Sequence, residues 1–233
     1  MSADVLPVST LTAKELSRPA VAALLGNPRG RLVFERCTFH EVDLSRLDLG
    51  ACEFRSCIVT ACSFTGSSLA ESRWERCRAG KTDFGATDLA ASEFLECDLN
   101  NTRWRRAKIS AVSFRGCKLT GADFREAGSL IPPSFEDSLL VAANLQQMSF
   151  RKMPLRGVDF SEADLSGCDF RDASFIGGSL RNARMSQARF DGADLREADL
   201  GGLKLADLSV LRGATISRAH ATDLLREFGV NVA

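Results

Sequence analysis

The sequence predicts an all-β fold: a right-handed quadrilateral β-helix with a short N-terminal cap and a C-terminal helix. Three observations predict it. Large apolar residues recur at every fifth position, small residues recur two positions before them, and like residue types return every twenty positions.

The five-residue period comes first, because a missed internal repeat misassigns the whole fold. One series runs from Phe34 through Phe39, Leu44, Leu49 and Phe54 to Phe124, and a second from Phe135 to Leu205. Together they hold 34 sites, of which only Ala79 is small, and they take up fourteen of the fifteen phenylalanines and both tryptophans. A chain that is 45% hydrophobic does not do this by chance. Neither regular element accommodates such a period. Every fifth residue of a helix scatters around its surface, and every fifth residue of a continuous strand changes face. The pattern requires a short extended segment and one turn in each pentad. Within an extended segment, the residue two before each centre shares its face. Those positions are small: Ala163, Ala173, Ala183, Ala188, Ala193 and Ala198, and all eight cysteines (37, 52, 57, 62, 77, 97, 117 and 168).

Spacing then sets the number of sides. Cys37, Cys57, Cys77, Cys97 and Cys117 lie twenty residues apart. The same step sorts Phe34, Phe54, Trp74, Phe94 and Phe114 into an aromatic column, and Leu49, Leu69, Leu89 and Ile109 into an aliphatic one. Outward positions alternate in charge at that step, as in Glu53/Arg73/Glu93, Arg78/Asp98/Lys118 and Glu35/Arg55/Glu75. A coil of fifteen scrambles these columns, so each coil has four sides. About eight coils are expected, stacked at the ~4.8 Å spacing of neighbouring strands. The open ends of such a stack need caps.

Residues 1–30 are expected to form the N-terminal cap, 31–216 the β-helix, and 217–233 a capping or dimerisation helix. Thr12-Ala13-Lys14-Glu15 resembles a capping box that opens a short helix reaching Leu25. Ser217 can cap a second helix through Phe228, closed by Gly229. On it Ala221, Leu224, Leu225 and Phe228 form one apolar stripe, which either covers the last coil or meets a second subunit. Val230 and Val232 follow with strand-like alternation. The five-residue series slips once, because Phe124 and Phe135 are eleven residues apart, not ten. One residue is therefore inserted within 125–134, where Pro132-Pro133 removes two backbone donors. The insertion is either a tolerated defect or a protruding functional loop.

The residue inventory argues against chemistry. There is no Cys-x-x-Cys pair, so the cysteines read as small hydrophobes and not as metal ligands or disulfides. The two histidines, His40 and His220, have no catalytic partner nearby, and the chain carries no phosphate-cradling glycine loop and no nucleophile elbow. No catalytic residue, metal or cofactor is expected. Thirty basic residues balance thirty acidic ones, which favours no polyanionic partner. With no signal peptide and no apolar run of membrane-spanning length, a cytoplasmic location is expected.

Units such as Ala163-Asp164-Leu165-Ser166-Gly167 and Ala193-Asp194-Leu195-Arg196-Glu197 match the pentapeptide-repeat signature over residues 31–205. The tail is more specific: Ala198-Asp199-Leu200-Gly201-Gly202-Leu203, then Leu211-Arg212-Gly213-Ala214-Thr215-Ile216 and Leu224-Leu225-Arg226-Glu227-Phe228-Gly229-Val230. With Phe150-Arg151-Lys152-Met153-Pro154-Leu155, it resembles the Qnr and MfpA families. That resemblance implies a protein that binds bacterial type II topoisomerases, DNA gyrase above all but also topoisomerase IV. It implies protection of the enzyme from quinolones or a natural gyrase poison, in resistance or self-immunity. It also implies a homodimer joined through the C-terminal helix, through Ala221, Leu224, Leu225 and Phe228, and a rod that imitates duplex DNA without binding nucleic acid itself. A DNA mimic needs carboxylates arrayed like phosphates. Asp43, Asp48, Asp83, Asp88, Asp123, Asp164 and Asp169, on two adjacent outward faces, are the candidates, and Ile131, Pro132 and Pro133 supply the projecting contact. Arg103, Lys108, Arg184 and Arg189 interrupt those faces. The alternative is a protein–protein interaction scaffold with no topoisomerase role.

Overall fold

The computed structural model describes residues 8–26, 31–203, 205–227 and 229–231. It comprises two compact units, Met1–Ser134 and Phe135–Ala233, and their division falls at the end of the slipped segment.

In the first unit, β1 (Val8–Thr12) leads to helix α1 (Arg18–Leu25), and β2 (Arg31–Glu35), β3 (Glu53–Arg55), β4 (Arg73–Glu75), β5 (Glu93–Leu95) and β6 (Ser113–Arg115) follow. Each strand pairs in parallel with the next, and Phe54, Trp74, Phe94 and Phe114 lie in register. The other three sides are joined by single bridges at the same twenty-residue step. These run Thr38–Ile58–Arg78–Asp98–Lys118, Asp43–Ser63–Asp83–Arg103–Asp123 and Asp48–Ser68–Asp88–Lys108–Gly128. Four sides per coil, with parallel right-handed connections, make the quadrilateral β-helix that the columns predict.

One hydrogen-bond rule serves every side. A centre's N–H donates to the coil ahead, as from Phe84 to the Arg103 carbonyl at 2.7 Å, and the preceding N–H donates to the coil behind, as from Asp83 to Cys62 at 2.9 Å. Corners are turned by the residue two after each centre, which takes a left-handed φ, for example Arg76, Ala86, Glu96 and Arg106 at +52° to +59°. A Cβ there costs about 1 kcal/mol, more if branched, and none of the non-glycine residues at these corners is β-branched or aromatic.

Every centre from Phe34 to Leu200 is buried. Two opposite sides carry the aromatic columns. Phe54, Trp74, Phe94 and Phe114 stack on one, with centroids 3.9–5.6 Å apart, and Phe64, Phe84, Trp104 and Phe124 on the other, at 4.4–5.4 Å. Across the interior the two columns meet edge-on, Phe84 against Phe94 at 6.2 Å and 79°. Offset stacks and edge contacts are the arrangements that aromatic quadrupoles favour. The small inward residues also bind the coils together, since many donate to the carbonyl of a centre in the coil behind. Ser67 reaches Leu44 at 2.8 Å, Thr87 reaches Phe64 at 2.7 Å, and Cys57 reaches Phe34 at 3.1 Å. All eight cysteines are free and buried, and Ala183 is the half-buried member of the alanine set.

The second unit repeats the scheme. Its strands are β7 (Ser134–Glu136), β8 (Pro154–Arg156) and β9 (Ser174–Ile176). Bridges run Leu139–Asp159–Ser179–Asp199, Asn144–Asp164–Arg184 and Ser149–Asp169–Arg189. A 3₁₀ turn (Leu205–Leu211) follows, with Leu203 and Leu211 buried, and Thr215 closes a last rung on Asp194. Helix α2 (Arg218–Glu227) completes the unit.

Two local expectations are corrected. Thr12 to Glu15 is not a capping box: Thr12 ends β1, Glu15 bridges Thr38, and Val8–Thr12 already pairs with β2 as part of the coil. Helix α1 starts after Ser17, with Pro19 in its first turn and no side-chain cap, because proline pre-sets the first helical turn without any need for its own N–H. Val230 lies in no strand, and Val232 lies outside the described residues.

Candidate partner-binding surfaces

The repeat gives each outward aspartate a structural role. One carboxylate oxygen accepts the N–H two residues on, fixing the corner, as Asp43 does from Ser45 (2.9 Å), Asp48 from Gly50 (3.1 Å), Asp83 from Gly85 (2.8 Å) and Asp164 from Ser166 (3.0 Å). This is the local turn that Asp and Asn favour. In four of the seven candidates the other oxygen is taken by a cation one coil on. Arg103 holds Asp83 at 3.0 Å, Lys108 holds Asp88 at 3.1 Å, Arg184 holds Asp164 at 3.0 Å and Arg189 holds Asp169 at 3.0 Å. Arg125 and Arg171 grip Asp123 and Asp169 with two nitrogens each. Arg18 lies 3.6 Å from Asp43.

The cations that the sequence places between the candidate aspartates are therefore bonded to them. Asp43, 66% exposed, and the exposed Asp48 are the most accessible of the seven, while the Asp169 side chain is 13% exposed. The Arg171 guanidinium, with Arg189 behind it, holds Asp169 down to about 2, and Arg125 holds Asp123 below the ordinary carboxylate range. At neutral pH these groups are ionised and largely neutralised by their own neighbours.

At the slip, the hydrogen-bond ladder locates the extra residue. The Ala91 N–H reaches Ser110, nineteen residues on, whereas the Ala111 N–H reaches Ile131, twenty on. Gly128 still bridges Lys108 in register, so the insertion lies between Gly128 and Ile131. Leu130 is expelled, 97% exposed, beside Ile131 at 61% and an exposed Pro132. The Ile131 N–H is satisfied by the Ser110 hydroxyl at 3.0 Å. Pro133 is a correction. It is buried, because it occupies the small inward place two before a centre, and it offers nothing to a partner. The sequence reading missed Leu130; its signal is an apolar residue with no inward slot in the period.

Helix α2 is capped as expected. The His220 N–H donates to Ser217 Oγ at 3.1 Å, and the Ser217 N–H donates back to His220 Nδ1 at 3.3 Å. Gly229, at φ +70°, ends it, with the Val230 N–H on the Leu225 carbonyl at 3.1 Å. The stripe divides. Leu224 lines a cavity of about 310 Å³ with Leu200, Leu203, Arg181 and Asp199, whereas Leu225 is 43% exposed. Ala221 is half-buried, and Phe228 lies outside the described residues. Among the described residues, no group of three or more His, Cys, Asp and Glu could hold a metal ion, and no helix is long and apolar enough to cross a membrane.

No curated protein matches the chain. Among solved structures, full-length QnrB1, a plasmid-mediated fluoroquinolone resistance protein, is 20% identical, with a TM-score of 0.62 over 96% of this chain and 99% of that one. A trypsin-treated QnrB1 variant is 22% identical, with a TM-score of 0.62 over 97% and 99%. HetL, a pentapeptide-repeat protein involved in heterocyst differentiation regulation in the cyanobacterium Nostoc sp. strain PCC 7120, is 17% identical, with a TM-score of 0.61 over 85% and 94%. At these identities the likeness is one of fold. Residues 31–104 match a family model described as a pentapeptide repeat region, and residues 87–126, 134–172 and 168–207 match that of pentapeptide repeats in eight copies. With its period, its four-sided coils and these matches, the chain belongs to the pentapeptide-repeat family.

Proposed function

We propose that this chain binds a bacterial type II topoisomerase, DNA gyrase or topoisomerase IV, and protects it from quinolones or a natural gyrase poison. The observation that carries the reading is the Qnr/MfpA-like tail, on a chain whose fold is similar to that of QnrB1 over nearly its whole length. In this reading the protein is a cytoplasmic homodimer joined through α2, with Ala221, Leu224, Leu225 and Phe228 in the contact. It occupies the enzyme's DNA site and touches no nucleic acid itself. Asp43, Asp48, Asp83, Asp88, Asp123, Asp164 and Asp169 stand where phosphates would.

The geometry refines how such binding works. Because most of these carboxylates already have cationic partners, a partner's basic groove meets a weaker field than phosphates provide, and steering by charge is modest. More of the contact then falls to the apolar tip, Leu130, Ile131 and Pro132. A supercoiling and cleavage assay with purified gyrase, with and without a poison, tests the reading as this protein is titrated in. Relief of poisoning is the expected result. Identical behaviour of poisoned gyrase with and without excess protein would reject it. The second reading, an interaction scaffold for another partner, is favoured by those self-neutralised faces and by the comparable likeness to HetL.

A further inference from the structure

The N-terminus of α2 is closed in an unusual way. In a reciprocal box, a Ser or Thr at the cap accepts the third N–H of the helix, and a Glu or Gln side chain at that third position accepts the N–H of the cap residue. Here the third residue is a histidine: Ser217 Oγ accepts the His220 N–H, and His220 Nδ1 accepts the Ser217 N–H. For Nδ1 to accept, the ring must be neutral with its proton on Nε2. An imidazolium has no lone pair to offer, since both of its nitrogens are donors. It would also place a cation at the positive end of the helix dipole.

We propose that the Ser217–His220 box is a pH-sensitive clasp, closed while the imidazole is neutral and released from the first turn of α2 when His220 takes a proton. The surroundings give the protonated ring somewhere to go. His220 lines the cavity between α2 and the last coil, with Arg181 and Asp199 on the coil side and Asp223 one turn further along α2. Arg181 binds Asp199 with two nitrogens, at 2.9 and 3.2 Å, so the coil presents a closed ion pair to the ring. Asp223 is 72% exposed and pairs, among the described residues, with the tip of Arg226 at 3.5 Å, which leaves its carboxylate open to an imidazolium turned away from Ser217. Leu224, in the same helix, lines the same cavity, so loosening the first turn loosens the seat of α2 on the coil. The inference depends on no partner and stands or falls separately from the topoisomerase reading.

The experiment uses the isotope-labelled full chain. The Ser217 amide and the His220 ring are followed by NMR from pH 8 to pH 5, beside His220→Gln and His220→Ala. In the parent chain the Ser217 amide should shift with the same midpoint as the His220 ring. Its exchange, corrected for intrinsic rates, should be roughly fivefold faster on the acid side, the loss expected of one helix cap. Gln completes the box without titrating, so His220→Gln should be protected and flat across the range, and His220→Ala should be unprotected throughout. His40→Gln, which alters the other histidine, should leave the parent response intact. A ring that titrates while the Ser217 amide stays unchanged overturns the clasp. So does a His220→Gln chain that responds to pH as the parent does.

Discussion

Replacing Phe94 by alanine should destabilise the first unit by about 4 kcal/mol, the centre of the range for deleting a buried phenylalanine. The magnitude follows from its surroundings. Phe94 is 1% exposed, stacked between Trp74 at 5.6 Å and Phe114 at 5.1 Å, with Phe84 and Trp104 edge-on at 6.2 and 5.6 Å. Removing the ring forfeits roughly 3 kcal/mol of apolar transfer, and the cavity and lost ring contacts add to that. Neighbouring rings cannot close over the gap, since each is fixed in register by its own coil. Glu93, the next residue in the same strand, is the internal control. Its side chain is 61% exposed and pairs with Arg73 at 3.6 Å, so Glu93→Gln should cost under about 1 kcal/mol. Urea unfolding followed by far-ultraviolet circular dichroism separates the two, provided the slopes agree. Equal losses at the two positions would refute the inward and outward assignment on which everything else rests.

Asp169 should make stability acid-sensitive. With its carboxyl held near 2 when folded and near 3.9 when unfolded, its contribution of at most about 2 kcal/mol is complete above pH 5 and fades as the pH falls towards 2. The gap in urea midpoint between the parent and Asp169→Asn should close over that interval; a constant gap contradicts the Arg171 and Arg189 pairing. Burial pushes the Cys52 and Cys168 thiols up to about 12 and Cys62 to about 11, whereas hydrogen bonds from neighbouring thiols of their column hold Cys77 and Cys117 below the ordinary thiol range. All eight are buried, so access decides, and thiol titration of the native protein should find no fast-reacting group until denaturant is added. Leu130→Ser should change stability by less than about 0.5 kcal/mol, because its side chain packs on nothing, yet should weaken protection of poisoned gyrase. A large unfolding effect would show that the bulge is packed. For the charge array, Asp83→Asn with Asp123→Asn keeps the turn acceptors and removes the charge, together with the pairing to Arg103 and Arg125. If those carboxylates meet gyrase, binding falls in a variant whose circular dichroism shows it still folded under the assay conditions, and unchanged binding would excuse them from the contact.

The core was legible because its signal is covalent spacing: a residue type repeated at a fixed step survives any ignorance of side-chain conformation. The four sides were legible for the same reason, through the columns of Cys37 to Cys117 and Phe34 to Phe114. The N-terminal start was not. Val8 to Thr12 pairs with a strand twenty-three residues on, outside the twenty-residue step, so no column announced it. Pro133 was misassigned because proline pairs suggest exposed loops, whereas the pentad phase puts that position inside. The self-neutralised aspartates were half visible. Arg103 and Lys108 stand one coil beyond Asp83 and Asp88 in the sequence, but only their geometry shows that the charges meet and do not merely alternate.

The expelled leucine says something about how such a chain can change length. In any coil of four five-residue sides, position along the chain is also an angle, so an insertion is a rotation as well as an addition. Twenty residues add a whole turn and leave every later column in phase. Five rotate everything downstream by a quarter turn, exchanging aromatic walls for aliphatic ones. A single residue kept within a side would reverse inside and outside for all that follows. At the corner after Gly128 the chain avoids that by ejecting Leu130, and the Ser134 N–H finds the Val112 carbonyl at 2.9 Å as if nothing had been added. Corners are thus where this architecture can accept new sequence without losing phase. Any surface it acquires by insertion will project from an edge, with one spare residue as its smallest beginning.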